Sequence, residues 1–199
     1  MSSPLGSVVR GLAAGILGSA AQDVFFALTS RIAPKPPEGV FVPPEPEQLE
    51  ESAPETVARR AAALLQRPLP VDKARAGHAV HYAFGGAWGA AYGATAATFP
   101  KASGPIGGAA FGMLVWVASN DLLLPAFKLA AWPTHYPVRS HLYAIAAHLA
   151  YGAVMGAALD KLTPKKPAAN LIVHASERPP EPVHMRTHAP DMLEAGAGI

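Results

Sequence analysis

The chain contains no cysteine. That absence removes a disulfide framework, a thiolate zinc site, an iron–sulfur cluster and a cysteine nucleophile. Charge is also scarce: 15% of the 199 residues are Asp, Glu, Lys or Arg, against about 25% in a typical soluble domain. The two signs nearly cancel, at a net +2. They are interleaved along the chain, so no basic face for nucleic acid is expected. The nucleophile elbow, P-loop, dinucleotide fingerprint, zinc-protease and kinase signatures are missing as well. No catalytic residue is assigned, and no cofactor is expected from motifs. What is abundant is apolar: half the residues are hydrophobic and the mean hydropathy is +0.19. That composition predicts burial in lipid.

The spacing of formal charges locates the spans. Gly11 to Ser30 is interrupted only by Asp23, Ala76 to Pro100 carries no formal charge, Ala102 to Phe127 carries Asp121 alone, and Ser140 to Leu159 carries none. Crossing about 30 Å of hydrocarbon takes roughly 20 apolar residues in a helix. The runs lack the alternation of a barrel strand. They also lack the polar face that a helix in a soluble bundle should show. The fold class predicted is therefore all-α, a polytopic membrane protein with four transmembrane helices, at 1–31, 76–100, 103–127 and 140–161. The first run is read as a span rather than a cleaved leader, because Asp23 lies within it and no Ala-x-Ala site is followed by a soluble domain.

Between the first two spans, residues 32–75 form a polar loop that opens with the proline-rich Ala33-Pro34-Lys35-Pro36-Pro37. Ser52 and Glu55 have the spacing of a capping box. Val57, Ala61, Leu64 and Leu65 then recur at helical spacing, with Arg59 and Arg60 expected to face away. This predicts an amphipathic helix over 53–66, lying on the membrane surface or packed against the loop. Residues 128–139, with Trp132, Pro133, Tyr136 and Pro137, read as an interfacial loop closing over the bundle. Residues 162–199 read as a mostly disordered tail, with His174, His184 and His188 solvated. Lys and Arg number seven on the side of the termini and nine on the other, which leaves membrane orientation open.

Two runs look like copies of each other. His81-Tyr-Ala-Phe-Gly-Gly-Ala-Trp-Gly-Ala-Ala91 and His148-Leu-Ala-Tyr-Gly-Ala-Val-Met-Gly-Ala-Ala158 share His-x-Ala-aromatic-Gly-small-x-x-Gly-Ala-Ala. The first and third spans match more loosely, Gly11 and Gly15 with Asp23 against Gly108 and Gly112 with Asp121. A duplicated two-helix unit accounts for this, and chance likeness between Ala/Gly-rich helices is the alternative. Gly85, Gly89 and Gly93, and likewise Gly152 and Gly156, form small-residue stripes. Lipid offers no hydrophobic drive for helix association, so these stripes are read as packing surfaces.

The ionisable residues inside the spans form the candidate site. Asp23, His78, His81, Asp121, His141 and His148 all fall in one leaflet if the four spans hold, with one Asp–His contact expected in each repeat. Such groups are costly in lipid and usually face a partner. Three readings stand: hydrogen bonds that lock helices together, proton or ion handling through histidines that titrate near neutral pH, and haem or metal ligation by His81 and His148. The metal assignment stays unknown.

The order of residues resembles one family. Pro34-Lys-Pro-Pro37, then His78-x-x-His81-Tyr-x-Phe-Gly-x-x-x-Gly-x-x-Tyr92-Gly, Phe99-Pro100-Lys101, a Gly-rich third span with Trp116, then Pro125, and His148 in the fourth span are similar to the YagU-type inner-membrane proteins of bacteria. The likeness covers roughly residues 10–160. It implies a multi-pass protein of the bacterial inner membrane with four spans, and carries over His81, Tyr92, Pro100 and His148 by position. It supplies no reaction. The extended tail and the acidic, proline-rich first loop depart from the family. The function expected is a non-enzymatic integral membrane protein, proton- or ion-responsive through the His/Asp cluster. The alternatives are an accessory or assembly subunit of a larger membrane complex and a haem- or metal-binding protein. The expected partners are the bilayer and other membrane subunits or a second copy, without nucleic acid.

Overall fold

The computed structural model describes residues 4–32 and 51–164, which are all helix, turn or coil with no strand among them. The proline-rich opening of the first loop and the tail from residue 165 onward, including His174, His184 and His188, lie outside the described residues. The elements in order are α1 (Pro4–Ile32), α2 (Ala53–Leu64), α3 (Lys73–Thr98), a 3-10 turn at Pro100–Ala102, α4 (Gly104–Trp116), a π-helical segment at Val117–Leu123, the short α5 (Leu124–Ala126), a 3-10 turn at Pro133–His135, and α6 (Val138–Leu162).

Three helices are long and apolar enough to cross a membrane: Pro4–Arg31, Gly104–Ala126 and Val138–Leu162. The sequence predicts four. The expected second span corresponds to α3, whose 26 residues would reach about 39 Å at 1.5 Å per residue. Length is therefore not what α3 lacks. It contains no Leu or Ile, and it carries five glycines, two histidines, Lys73 and Arg75. Freedom from formal charge over residues 76–100 does not by itself make the intervening residues apolar.

The helices form two antiparallel pairs held backbone to backbone. A side-chain carbon added at Gly89 would strike the Gly11 carbonyl oxygen and the Gly15 Cα, and one added at Gly15 would strike the Gly85 carbonyl oxygen. In the other pair, a carbon at Gly156 would strike the Gly104 carbonyl oxygen and Gly108, and one at Gly108 would strike Gly152. Only glycine allows these approaches, as expected for Gly85, Gly89, Gly93, Gly152 and Gly156. The contacts match Gly11 with Gly104 and Gly15 with Gly108. The sequence matching, Gly11 with Gly108, is out by one helical turn.

α1 also packs on α6. Gly18 lies under the Tyr151 ring, the Thr29 and Tyr143 hydroxyls are 2.8 Å apart, and Phe25 and Phe26 stack on Tyr143 with centroids at 5.4 and 5.7 Å. The bundle order is thus α3, α1, α6, α4. α3 and α4 barely touch along their lengths. They are bridged near the connecting turn by Phe111, whose ring lies 5.1 Å from Tyr92 and 6.1 Å from Trp88. The Tyr92 hydroxyl, almost wholly buried, donates to the Ala102 and Gly104 carbonyls at 3.0 and 3.2 Å. Gly104 has φ +85°, a backbone conformation that side chains disfavour. This turn therefore needs glycine to place the carbonyl under Tyr92.

The amphipathic helix is present as α2, shorter than the expected 53–66. Glu55 accepts from the Ser52 N–H at 2.7 Å and the Ser52 hydroxyl at 2.8 Å, which settles the N-terminus. Two expectations for this helix are overturned. Arg60 does not face away: it donates to the Phe127 and Lys128 carbonyls at 2.8 and 3.3 Å and so ties α2 to the segment after α5. Leu64, the last helical residue, and Leu65, its C-cap, are both exposed, so the apolar pattern is not buried at this end of the helix.

The glycine contacts generate a test in paired substitutions. Gly89→Ala puts a methyl onto backbone, and overpacking of this kind costs about 1–3 kcal/mol or more. Gly86→Ala meets Ile16 Cγ1 at 3.4 Å, an ordinary contact, and gains helix propensity. Thermal unfolding in mild detergent should show a lowered midpoint for the first and an unchanged or raised one for the second. Equal midpoints would contradict backbone packing at Gly89.

Candidate functional site

The polar groups of the bundle concentrate where α1 and α3 run side by side. Asp23 of α1 accepts from the Tyr82 hydroxyl at 2.9 Å. Its carboxylate also lies 3.6 Å from His81 Nε2 and 4.0 Å from His78 Nδ1. His78, His81 and Tyr82 occupy consecutive turns of α3, so one helical face delivers all three to one carboxylate. Asp23 and His81 are part-buried and His78 is mostly exposed. The first Asp–His contact expected from the sequence is therefore present, with Tyr82 as a third partner that the sequence reading did not single out.

The second contact is not formed. His141 Nε2 lies 3.0 Å from the Pro133 carbonyl and His148 Nδ1 lies 2.8 Å from the Ala144 carbonyl. A carbonyl only accepts, so these nitrogens carry the protons, and neither ring is bonded to Asp121. The reason is position: α4 ends at Trp116. Asp121 falls beyond it, in the π-helical segment. That segment has its own cause. Pro125 has no N–H, and its ring would crowd the carbonyl four residues back, that of Asp121; widening the preceding turn relieves the clash. His141 serves instead to order the loop, with Trp116 and Tyr136 packed edge-on to its ring.

A cavity of about 580 Å³ opens beside the cluster, in the gap between α3 and the π-helical segment. Its walls are mainly apolar, with Phe26, Val80, Phe84, Trp88, Val115 and Leu123 among them, and α2 closes one side with Val57, Ala61 and Leu64. His81 and His148 both line it. So do Ser19, Gln22, Ser119 and Asn120, which the sequence reading missed. The available signal was their place in the spans: small polar residues inside apolar helices. The interfacial loop contributes Leu129 to the wall, whereas Trp132 and Tyr136 stay exposed.

Tyr151 connects the two helix pairs across this region, its hydroxyl donating to the Gly85 carbonyl at 2.7 Å. Among the described residues no group of three or more His, Asp or Glu side chains is arranged to hold a metal. His81 and His148, the two metal candidates, share the cavity wall without a third ligand of that kind. Comparison of the chain with protein-family models, with curated proteins and with solved structures finds no match.

On the flank outside the bundle, Glu51 joins α2 to α3. Its carboxylate lies 2.6 Å from Lys73 Nζ and 2.8 Å from Arg59 Nε. Hydrogen bonds from Lys73 and then Arg59 hold its pKa down to about 2. Glu55 is also lowered, chiefly by the Ser52 backbone N–H. A carboxyl depressed in the folded state contributes stability above its ordinary value of 4.5 and loses that contribution as pH falls towards about 2. Acidification through this window should release α2. Amide exchange over 53–64, corrected for intrinsic rates, should rise in the wild type and depend less on pH in Glu51→Gln. Identical profiles would show that Glu51 does not anchor the helix.

Proposed function

We propose that the chain is a four-span, non-enzymatic protein of the bacterial inner membrane whose helix packing responds to protonation at the Asp23–His81 cluster. The observation supporting this reading is the single carboxylate approached by Tyr82, His81 and His78 at the edge of a cavity inside an otherwise apolar bundle. Imidazole changes charge between about pH 5 and 8. When His81 or His78 takes a proton, a dipolar contact with Asp23 becomes an ion pair, and its strength changes the hold of α1 on α3. His148 and Tyr151 from α6 and Arg60 from α2 line the cavity with His81, and Glu55 of α2 lies against Gly77, next to His78. Arg60 is occupied by the two carbonyls it binds.

Four spans, rather than three and a surface helix, are favoured by the way α3 meets α1. A helix laid antiparallel along a spanning helix, with glycine contacts from Gly85 to Gly93, shares its depth in the bilayer. Packing on α1 compensates for the modest apolarity of α3, because the small-residue face is turned to protein. Duplication is supported by the matching contacts of Gly89 and Gly156 in the two pairs and by the shared run beginning at His81 and His148. The YagU-type resemblance is the basis for the bacterial location.

Trp88 lines the same cavity as His81 and His148, so its fluorescence reports on the site. With Trp116, which lies against His141, and Trp132 replaced by Phe, the Trp88 emission should shift with pH between about 5 and 8, and the shift should shrink in His81→Gln and in Asp23→Asn. A profile left intact by both substitutions and by His148→Gln would sink the reading.

A further inference from the structure

The cavity beside the Asp23 cluster is long rather than round. Its lining runs from Ser19 to Phe26 on α1, from Val80 to Trp88 on α3, and from Val115 to Phe127 through the π-helical segment and α5. At a helical rise of about 1.5 Å per residue these stretches are about 10, 12 and 18 Å long. α1, the stretch from α4 to α5, and α6 are long and apolar enough to cross a membrane, so a space drawn out along them follows the bilayer normal. α2 crosses its outer end, meeting α3 at Gly77 and the chain after α5 at Phe127. At the inner end Phe111 closes the gap against Trp88 and Tyr92. Between the two ends α3 and α4 barely touch. Phe84 and Leu123 of the lining are exposed there, so the space opens sideways to lipid.

We propose that one acyl chain of a bilayer phospholipid occupies this cavity, lying parallel to the helices between α3 and the π-helical segment. Length points to that occupant. One leaflet of a hydrocarbon core about 30 Å thick is about 15 Å deep, and the lining stretches bracket that depth. The volume, about 580 Å³, falls within the range of about 300–1,000 Å³ for bound small molecules. Chemistry points the same way, because the surface facing the space is almost wholly apolar. The Arg60 guanidinium and the Tyr151 hydroxyl are turned to carbonyls at 2.8 and 2.7 Å. The Ser19 and Ser119 hydroxyl oxygens are buried within the protein rather than presented to the space. A water molecule needs about two to four polar partners, so water does not fill such a volume. An empty volume forfeits the dispersion contacts of its walls. A hydrocarbon chain entering between α3 and α4 restores those contacts and brings no polar group to desolvate. This inference rests on the helices spanning the bilayer and not on protonation at the Asp23 cluster.

The test places the full-length protein in phosphatidylcholine vesicles in which a fraction of the lipid carries a photoreactive diazirine midway along one acyl chain. After illumination, peptide mass mapping locates the adducts. Gln22, Val115 and Tyr151 line the cavity but are buried from lipid around the bundle. Ile106 is 88% exposed and lies outside the lining, so it reports ordinary surrounding lipid. The wild type should carry adducts at the three buried lining residues as well as at Ile106. Val80→Phe and Ala61→Phe each put a ring into the cavity. Each should cut the labelling of the lining by about tenfold or more, the scale of overpacking a filled site, and leave Ile106 unchanged. Val117→Phe makes the same exchange outside the lining and should label as the wild type does. If the filled variants do not fold, the wild-type pattern decides alone. Labelling of Ile106 without the lining residues would overturn the proposal, and so would filled variants whose lining is labelled as strongly as before.

Discussion

Contact of backbone on backbone through glycine is the constraint on which this bundle rests. In lipid an apolar side chain gains nothing by leaving its surroundings for another helix, so association depends on close packing and on the few polar bonds that cross between helices. Gly11, Gly15, Gly85, Gly89 and Gly93 bring α1 and α3 to that distance, and Gly104, Gly108, Gly112, Gly152 and Gly156 do the same for α4 and α6. Between the pairs, Gly18 still brings α1 against the Tyr151 backbone, and larger side chains fill the rest. Tyr151, Tyr143 and Phe111 do that work, and rings hold helices further apart than glycines do.

The cavity follows from this arrangement. Where Phe111 fills the space between α3 and α4 the bundle is closed. Beyond it, the π-helical segment that accommodates Pro125 carries Ser119 and Asn120 to the wall, and α2 covers one side under the grip of Arg60. A proline in one helix and an arginine in a surface helix thus shape the interior that the Asp23 cluster adjoins. His81 lies 3.6 Å from the Asp23 carboxylate and also lines the cavity, so the cluster and the cavity share a residue of α3.

Much of the architecture was legible in the sequence because charge spacing, capping chemistry and glycine period are local signals. Ser52 and Glu55 marked the start of α2, and Gly85, Gly89 and Gly93 marked a packing face before any partner was known. Apolarity was misjudged for α3, where freedom from charge stood in for hydrophobic content. One Asp–His contact in each repeat was expected: Asp23 lies within 4.0 Å of His78 and His81, whereas no contact of Asp121 with a histidine is formed. The reason is that a register between helices depends on which glycines meet, and Gly15 meets Gly85 and Gly89 in the way Gly108 meets Gly152 and Gly156. The role of Arg60 was missed because its partners are carbonyls distant in sequence.

The central claim is that glycine packing carries α3 through the bilayer beside α1, and a chain without cysteine allows it to be tested by single introduced thiols. Ser52→Cys lies ahead of α3 and Ser103→Cys follows it. In sealed vesicles of one orientation, a membrane-impermeant maleimide should label one of the two from outside and reach the other only after the membrane is opened. Labelling of both from the same side would place α3 outside the hydrocarbon and contradict the account.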